Sequence, residues 1–360
     1  MSSLSNSDCG GDFHGNACMC FIVPASVLER LSRDKKLSAM EREAFAVMAK
    51  YEQEWRKLRL ARVKHLRAAK TILPSALAAV PAGSPSVNVF DCQQGTTLPG
   101  TLLANPDGSA DGTVKRASDE SKSIVKFFKT LFGRNSIDDA GMAINSSVHY
   151  SVKYNNAFWN GSQMAYGDGD GKIFLDFTRS NDVIGHELTH GITQYTLSLN
   201  YTKQAGGLNE SMSDVFGSMF RQWEANQDVS QADWLIGKDI MGPAAKARGY
   251  TCLRDLSNPN ASHCLAPQPT KFSQYHDAMD PHESSGIPNL AFYKAAMVIG
   301  GKSWEKAGKI WYQALTGSGP SPNMRMSTFA KRTRTLAGSL FPSEPVVKKA
   351  VDQAWKSVGL

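Results

Sequence analysis

The sequence predicts an α+β protein in which a β-rich N-terminal lobe is followed by an α-helical C-terminal lobe. Three observations predict it. Short β-branched or aromatic runs, Val87 to Phe90, Ser147 to Tyr154 and Lys172 to Phe177, have the pattern of strands. After Asp182 the stretches are helical in pattern. Between the two regions stands the motif His186-Glu187-Leu188-Thr189-His190.

The chain has 360 residues, 41% of them hydrophobic and 20% charged, which fits a large globular body and excludes collagen, coiled coil and disorder. Residues 1–20 contain neither Lys nor Arg and no continuous apolar stretch, so both parts of a secretory signal are missing. The expectation is export by a non-classical route or residence in the cytoplasm. Apolar runs such as Ile72 to Leu77 and Ala291 to Gly300 fall well short of the roughly 20 residues of a membrane span. No membrane partner is expected.

The net charge of +7 is unevenly placed: residues 29–70 carry 13 Lys+Arg against 6 Asp+Glu. Within them, Ser38 to Lys70 contains no Gly or Pro, and Ser38 with Glu41 has the form of a capping box. Ala44, Val47, Met48, Tyr51, Trp55, Leu58, Ala61 and Leu66 recur at roughly helical spacing. A basic helix of this kind suits nucleic acid, an acidic membrane or a protein surface. A charge stripe without a recognisable binding module favours the last, so no nucleic-acid partner is expected. Leu73 to Pro85, rich in Ala, Pro, Gly and Ser, reads as a linker.

His186 and His190 lie one helical turn apart, so both imidazoles reach one Zn²⁺, with Glu187 beside a water bound there. Glu210, twenty residues on, is spaced to return on a second helix as a third ligand. Asp214, one turn further, is placed to hold the free N–H of a ligating His. Three protein ligands leave one position open, as in a catalytic site.

With these motifs in place, the chain resembles the thermolysin family of metallopeptidases, in the gluzincin group. The likeness extends over 87–360 and includes Asn155-Asn156-Ala157-Phe158-Trp159-Asn160, Tyr166-Gly167-Asp168-Gly169-Asp170-Gly171 and Ala354-Trp355-Lys356-Ser357-Val358-Gly359. The resemblance implies a two-lobed zincin with the zinc helix in the cleft, and a zinc endopeptidase acting on polypeptides. It implies that Glu187 is the general base, that Tyr201 and His282 donate to the oxyanion, and that Asp277 holds the His282 ring. It also implies that Asn156, Ala157 and Arg254 bind the substrate backbone. Phe174, Val183, Ile236 and Leu253 would line the pocket for the following side chain, so cleavage before bulky hydrophobic residues is expected. A non-catalytic zincin-fold binding protein is the alternative; it is disfavoured because metal binding alone does not require Glu187.

Several positions depart from the family pattern. Arg221 and Lys238 stand where a double calcium site would have carboxylates, while Asp182 and Asp239 stay acidic; the double calcium site is expected to be absent. His282 is flanked by Asp280-Pro281 and Glu283-Ser284 rather than the usual Gly-Val and Ile-Asn pairs. Asp168-Gly169-Asp170-Gly171 reads as a hairpin turn rather than a calcium loop. His149, His263 and His276 read as structural or exposed.

A second resemblance covers Cys20-Phe21-Ile22-Val23-Pro24-Ala25-Ser26-Val27-Leu28-Glu29-Arg30, which is similar to the short propeptide of the protealysin-like branch. The division it implies is an inhibitory helical propeptide over 1–70, a linker and processing region over 71–86, a β-rich lobe over 87–180 and a helical lobe over 181–360, in a monomer. Cys18 or Cys20 reaching the zinc is a weaker option. Cys252 and Cys264 suit a loop disulfide if the protein is exported.

Overall fold

The computed structural model describes residues 20–68 and 85–360, with the backbone alone given over 55–68. The described residues begin with strand β1 (Cys20–Phe21), a short helix α1 (Ala25–Ser32) and a long helix α2 (Ala39–Ala68). The Ser38 capping box forms as the sequence predicts: Ser38 N–H donates to Glu41 Oε2 (2.7 Å), and Glu41 N–H to Ser38 Oγ (3.3 Å). The buried stripe differs from the predicted one. Phe45, Ala49 and Glu52 are buried while Val47 is 60% exposed, so the helix is rotated relative to the apolar count. An acidic residue on the buried face is invisible to that count.

Next come β2 (Val87–Asp91), β3 (Thr101–Leu102), α3 (Gly112–Phe132), β4 (Ile144–Val148), β5 (Ala157–Trp159) and β6 (Met164–Tyr166). They form one mixed sheet with β1, in the order β1-β5-β6-β4-β2-β3. The first strand run is present, the second is present only at its start, within β4, and the third is not. The run from Ser147 ends at Val148, because His149, Ser151 and Lys153 take positive φ and turn the chain. Lys172 to Phe177 is no strand, because Asp170 Oδ1 accepts from the N–H groups of Lys172, Ile173 and Phe174 and folds them into a turn. The 21-residue α3 also packs under this sheet, so the lobe is mixed rather than purely β.

The second half holds α4 (Asn181–Tyr195), α5 (Lys203–Glu224), a small hairpin of β7 (Leu235–Ile236) and β8 (Arg254–Asp255) with α6 (Pro243–Lys246) between them, then α7 (Pro281–Ser284), α8 (Gly286–Ile299), α9 (Ala307–Thr316), α10 (Met326–Leu340) and α11 (Pro345–Ser357). Its core includes Trp311 and Trp355, stacked at 6.0 Å, with Phe292 and Phe329 edge-on. Helices α4 and α5 cross at paired glycines. A Cβ on Gly217 would lie 2.5 Å from Asp182 O, and one on Gly185 would lie 3.1 Å from Gly217 Cα, so no larger residue allows this approach. That crossing sets the metal-type side chains of α4 opposite those of α5.

Near the start of α3, His149 bridges Asp168 (Nδ1, 2.8 Å) and Asp111 (Nε2, 3.1 Å), the residue that caps α3. The hydrogen bond to Asp168 raises its pKa to about 9 against the opposing effect of burial. A raised folded-state value gives stability that is complete below the unfolded value near 6.5 and is lost as pH rises through about 9. His149→Gln should therefore reduce the drop in unfolding midpoint between about pH 7 and about pH 10. An unchanged drop contradicts this assignment.

Candidate active site

Helix α4 carries His186, Glu187 and His190, and α5 carries Asn209, Glu210 and Asp214; all six are buried. Asp214 Oδ1 is 2.9 Å from His186 Nδ1, and Asn209 Oδ1 is 2.8 Å from His190 Nδ1. Each of these oxygens accepts a ring N–H, so a neutral imidazole at either position offers its Nε2 as a lone-pair acceptor. Those two Nε2 atoms are 3.0 Å apart, and Glu210 lies 3.4 Å from one and 3.5 Å from the other. Two bare nitrogens and a carboxylate repel one another unless a cation lies between them. For ligand bonds of about 2.1 Å the edges of a tetrahedral site are about 3.4 Å, so the donor set fits Zn²⁺. Among the described residues, Glu210 Oε2 and Glu187 Oε1 also have no hydrogen-bond partner, as ligand and water-facing oxygens would.

Glu187 is fixed by its other oxygen, which accepts from the Trp159 N–H on β5 (2.9 Å). Burial raises its carboxyl well above the ordinary range. Tyr201 OH donates to Glu210 and lies 3.2 Å from His282 Nε2, so the two expected oxyanion donors are side by side. Asp277 is a correction to the expected set. It is 60% exposed and paired with Lys203, whereas Asp280 Oδ1 accepts from His282 Nδ1 at 2.9 Å. Asp280 precedes Pro281 and caps α7, taking the His282 N–H as well (2.9 Å), so a local turn supplies the partner. A hydrogen bond to a charged group is worth about 1.5–3 kcal/mol. Asp280→Ala should therefore lower kcat roughly 10- to 100-fold, and Asp277→Ala should leave it within about twofold; the reverse ranking contradicts the assignment.

The segment 20–23 lies against these groups. Cys20 and Phe21 pair antiparallel with Trp159 and Phe158, which makes β1 the edge strand. The Phe21 carbonyl accepts from His282 Nε2. Ile22 N–H donates to Ala157 O (3.1 Å), and Ile22 O accepts from Arg254 Nη1 (3.0 Å). Asn156 completes the pattern by accepting from Val23 N–H and donating to Val23 O, both at 3.0 Å. The peptide link from Phe21 to Ile22 thus has its carbonyl at the Tyr201–His282 pair and its following groups on Ala157, Arg254 and Asn156. The Phe21 ring lies 5.4 Å from that of Phe158, in one buried cluster with Tyr150 and Tyr154. Ile22 shares the buried core with Phe174, Val183, Ile236 and Leu253.

Arg254 is also bidentate on Asp214, Nε to Oδ2 (2.9 Å) and Nη2 to Oδ1 (2.7 Å), and Asn289 donates to the same carboxylate (2.9 Å). One buried carboxylate thereby links His186 to Arg254. Arg221 lies between Asp239 (2.7 Å) and Asp182 (3.3 Å), and Lys238 pairs with Asp233 (2.9 Å). Sequence reasoning missed Asn209, Asp280 and the Trp159 N–H. Asn209 stands directly before Glu210 and had a readable signal, whereas the other two depend on backbone turns.

A helix pair presenting two histidines and a carboxylate beneath an edge strand defines the class of two-lobed metallopeptidases. Residues 79–194 match the family model described as thermolysin metallopeptidase, catalytic domain, and 198–360 match that of its alpha-helical domain. The chain belongs to the thermolysin family of metallopeptidases. It is 42% identical over 294 residues to an extracellular metalloprotease of Pectobacterium carotovorum subsp. carotovorum, covering 78% of this chain and 83% of that protein. It is 36% identical over 282 residues to thermolysin of Alicyclobacillus acidocaldarius subsp. acidocaldarius, covering 75% of this chain and 50% of that one. Among solved structures it resembles the precursor of protealysin, a metalloproteinase from Serratia proteamaculans, with a TM-score of 0.77 and 35% identity over 94% of this chain and 99% of that one. Peptidases of this family are zinc-dependent, and here His186, His190 and Glu210 bring ligand atoms within 4.8 Å of one another. No helix among the described residues is long and apolar enough to cross a membrane.

Proposed function

We propose that the chain is a zinc endopeptidase made as a latent precursor, in which the N-terminal segment occupies the substrate cleft until it is removed. The observation that supports this best is the backbone pattern of Phe21, Ile22 and Val23, which fills main-chain donors and acceptors in the manner of β-strand addition. The likeness to the protealysin precursor, spanning 94% of this chain, supports reading that segment as a propeptide.

In this reading His186, His190 and Glu210 hold Zn²⁺, which when bound supplies a Lewis acid for the peptide carbonyl. Glu187 takes a proton from the attacking water and passes it to the leaving amine. Tyr201 and His282 donate to the oxyanion where the Phe21 carbonyl now lies, and Asp280 orients the imidazole. Arg254, Asn156 and Ala157 hold the backbone beyond the cleaved bond. Phe174, Val183, Ile236 and Leu253 wall the pocket for the next side chain, which sets cleavage before bulky hydrophobic residues. A double calcium site has no part in this reading, because the Arg221 cation already pairs with both Asp182 and Asp239.

Incubation with casein, with and without phenanthroline, tests the reading while the N-terminus is followed by sequencing. The expected result is chelator-sensitive hydrolysis together with cleavage between residues 70 and 87 that wild-type protein performs and Glu187→Gln does not. Equal processing of both proteins excludes self-cleavage, and hydrolysis that survives chelation excludes the zinc mechanism.

A further inference from the structure

From the sequence, His263 is expected to be structural or exposed, and Cys252 and Cys264 suit a loop disulfide only if the protein is exported; their geometry points elsewhere. After β8 the chain loops and returns beside its own entry. Thr251 N–H donates to His263 O (3.0 Å) and Leu265 N–H to Cys252 O (2.9 Å), so Cys252 and Cys264 face each other as parallel bridge partners. Both are buried, and they pack with Ala261 and Leu235 in a small cluster. Their sulfurs are 3.9 Å apart. A ring nitrogen of His263 lies within 4.8 Å of both sulfurs. Its Nε2 is 3.1 Å from Asp255 Oδ2.

A disulfide needs sulfurs at about 2.05 Å. Two thiolates on a tetrahedral ion, each at about 2.3 Å, stand about 3.8 Å apart, close to the separation observed. We propose that Cys252, Cys264 and His263 form a second metal site, distinct from the His186 cluster, that takes a thiophilic divalent ion of the Zn²⁺ type. Two sulfurs and an imidazole select such an ion over Ca²⁺ or Mg²⁺. Asp255 supplies the carboxylate partner that orients a ligating His, and its other oxygen is occupied by the Ser257 and Asn258 N–H groups (2.7 and 3.1 Å). The His263 side chain is 38% exposed, which leaves an approach for the ion and for water as fourth ligand. On binding, each thiol releases its proton.

The site closes the loop that carries Leu253 and Arg254 at its start and Leu265 at its end, and the Leu265 carbonyl accepts from Arg30 of α1. An ion there would hold the strand that presents Arg254 to the cleft. Its existence does not depend on the peptidase reading.

The test counts zinc in the full-length chain after dialysis and titrates the metal-free chain with Cd²⁺, reading thiolate-to-metal absorption. Two zinc ions per chain are expected in the wild type, one in Cys252→Ser/Cys264→Ser, and one in Glu210→Gln. The cadmium band should persist in Glu210→Gln and vanish in the double Ser variant. His263→Gln, which keeps both thiols, should weaken cadmium binding by at least about tenfold. One zinc in both the wild type and the double Ser variant, or a cadmium band indifferent to these substitutions, overturns the proposal. So does a peptide map of the untreated, unfolded chain in which the Cys252 and Cys264 peptides are joined, which would mean a disulfide instead.

Discussion

Glu187→Gln is expected to lower peptide hydrolysis by roughly 10²- to 10⁴-fold, the range of a positioned general base, while leaving zinc content unchanged. Both parts follow from the geometry. Glu187 is not among the three groups that converge at 3.0–3.5 Å; it stands beside them, anchored through one oxygen by the Trp159 N–H. An amide keeps an oxygen for that hydrogen bond, so the backbone of β5 stays in place, but it is far too weak a base to take a proton from water. Elemental analysis and peptidase kinetics on the same preparation separate the effects. Loss of zinc along with activity would make Glu187 a ligand, and retained activity would remove it from the reaction.

Arg254→Met is expected to destabilise the protein by about 3–5 kcal/mol, because it breaks a fully buried pair and leaves the Asp214 charge without its bidentate partner. Burial alone would raise Asp214; the Arg254 charge, helped by His186, holds it well below the ordinary carboxylate range. The same substitution removes the donor to the Ile22 carbonyl, so the N-terminal segment should also loosen. Denaturant midpoints give the first quantity and hydrogen exchange of Ile22 and Val23 the second. A double variant, Asp214→Asn with Arg254→Met, should recover part of the stability because no unpaired charge remains. A loss below about 1 kcal/mol for the single variant would place the pair in solvent.

The zinc-type cluster was legible because its spacing lies along two helices: four positions bring His186 to His190, and four bring Glu210 to Asp214. Helical periodicity after Asp182 was legible for the same reason. The partner of His282 was not, since alignment with the family points to Asp277, whereas the Asp280-Pro281 step starts α7 and turns a nearer carboxylate onto the ring. The Lys172 to Phe177 run has strand composition, but Asp170 takes three of its N–H groups, a side-chain competition that composition does not register. The helix stripe was misjudged where Glu52 replaces an apolar residue on the buried face. The placement of Phe21 against the Tyr201–His282 pair joins residues more than 100 positions apart; the propeptide resemblance puts the segment near Pro24 in the cleft, but no local pattern encodes the contact itself.

The most direct test of the central claim, a zinc peptidase whose cleft is filled by its own N-terminal segment, is the rate on a quenched peptide with Leu after the cleaved bond, per zinc bound, before and after a cut within residues 71–86. A tethered occupant competes at an effective concentration of order millimolar, so release should raise the rate by roughly 10²- to 10³-fold, and phenanthroline should abolish it. Equal rates before and after the cut, or a rate unaffected by the chelator, would contradict the account.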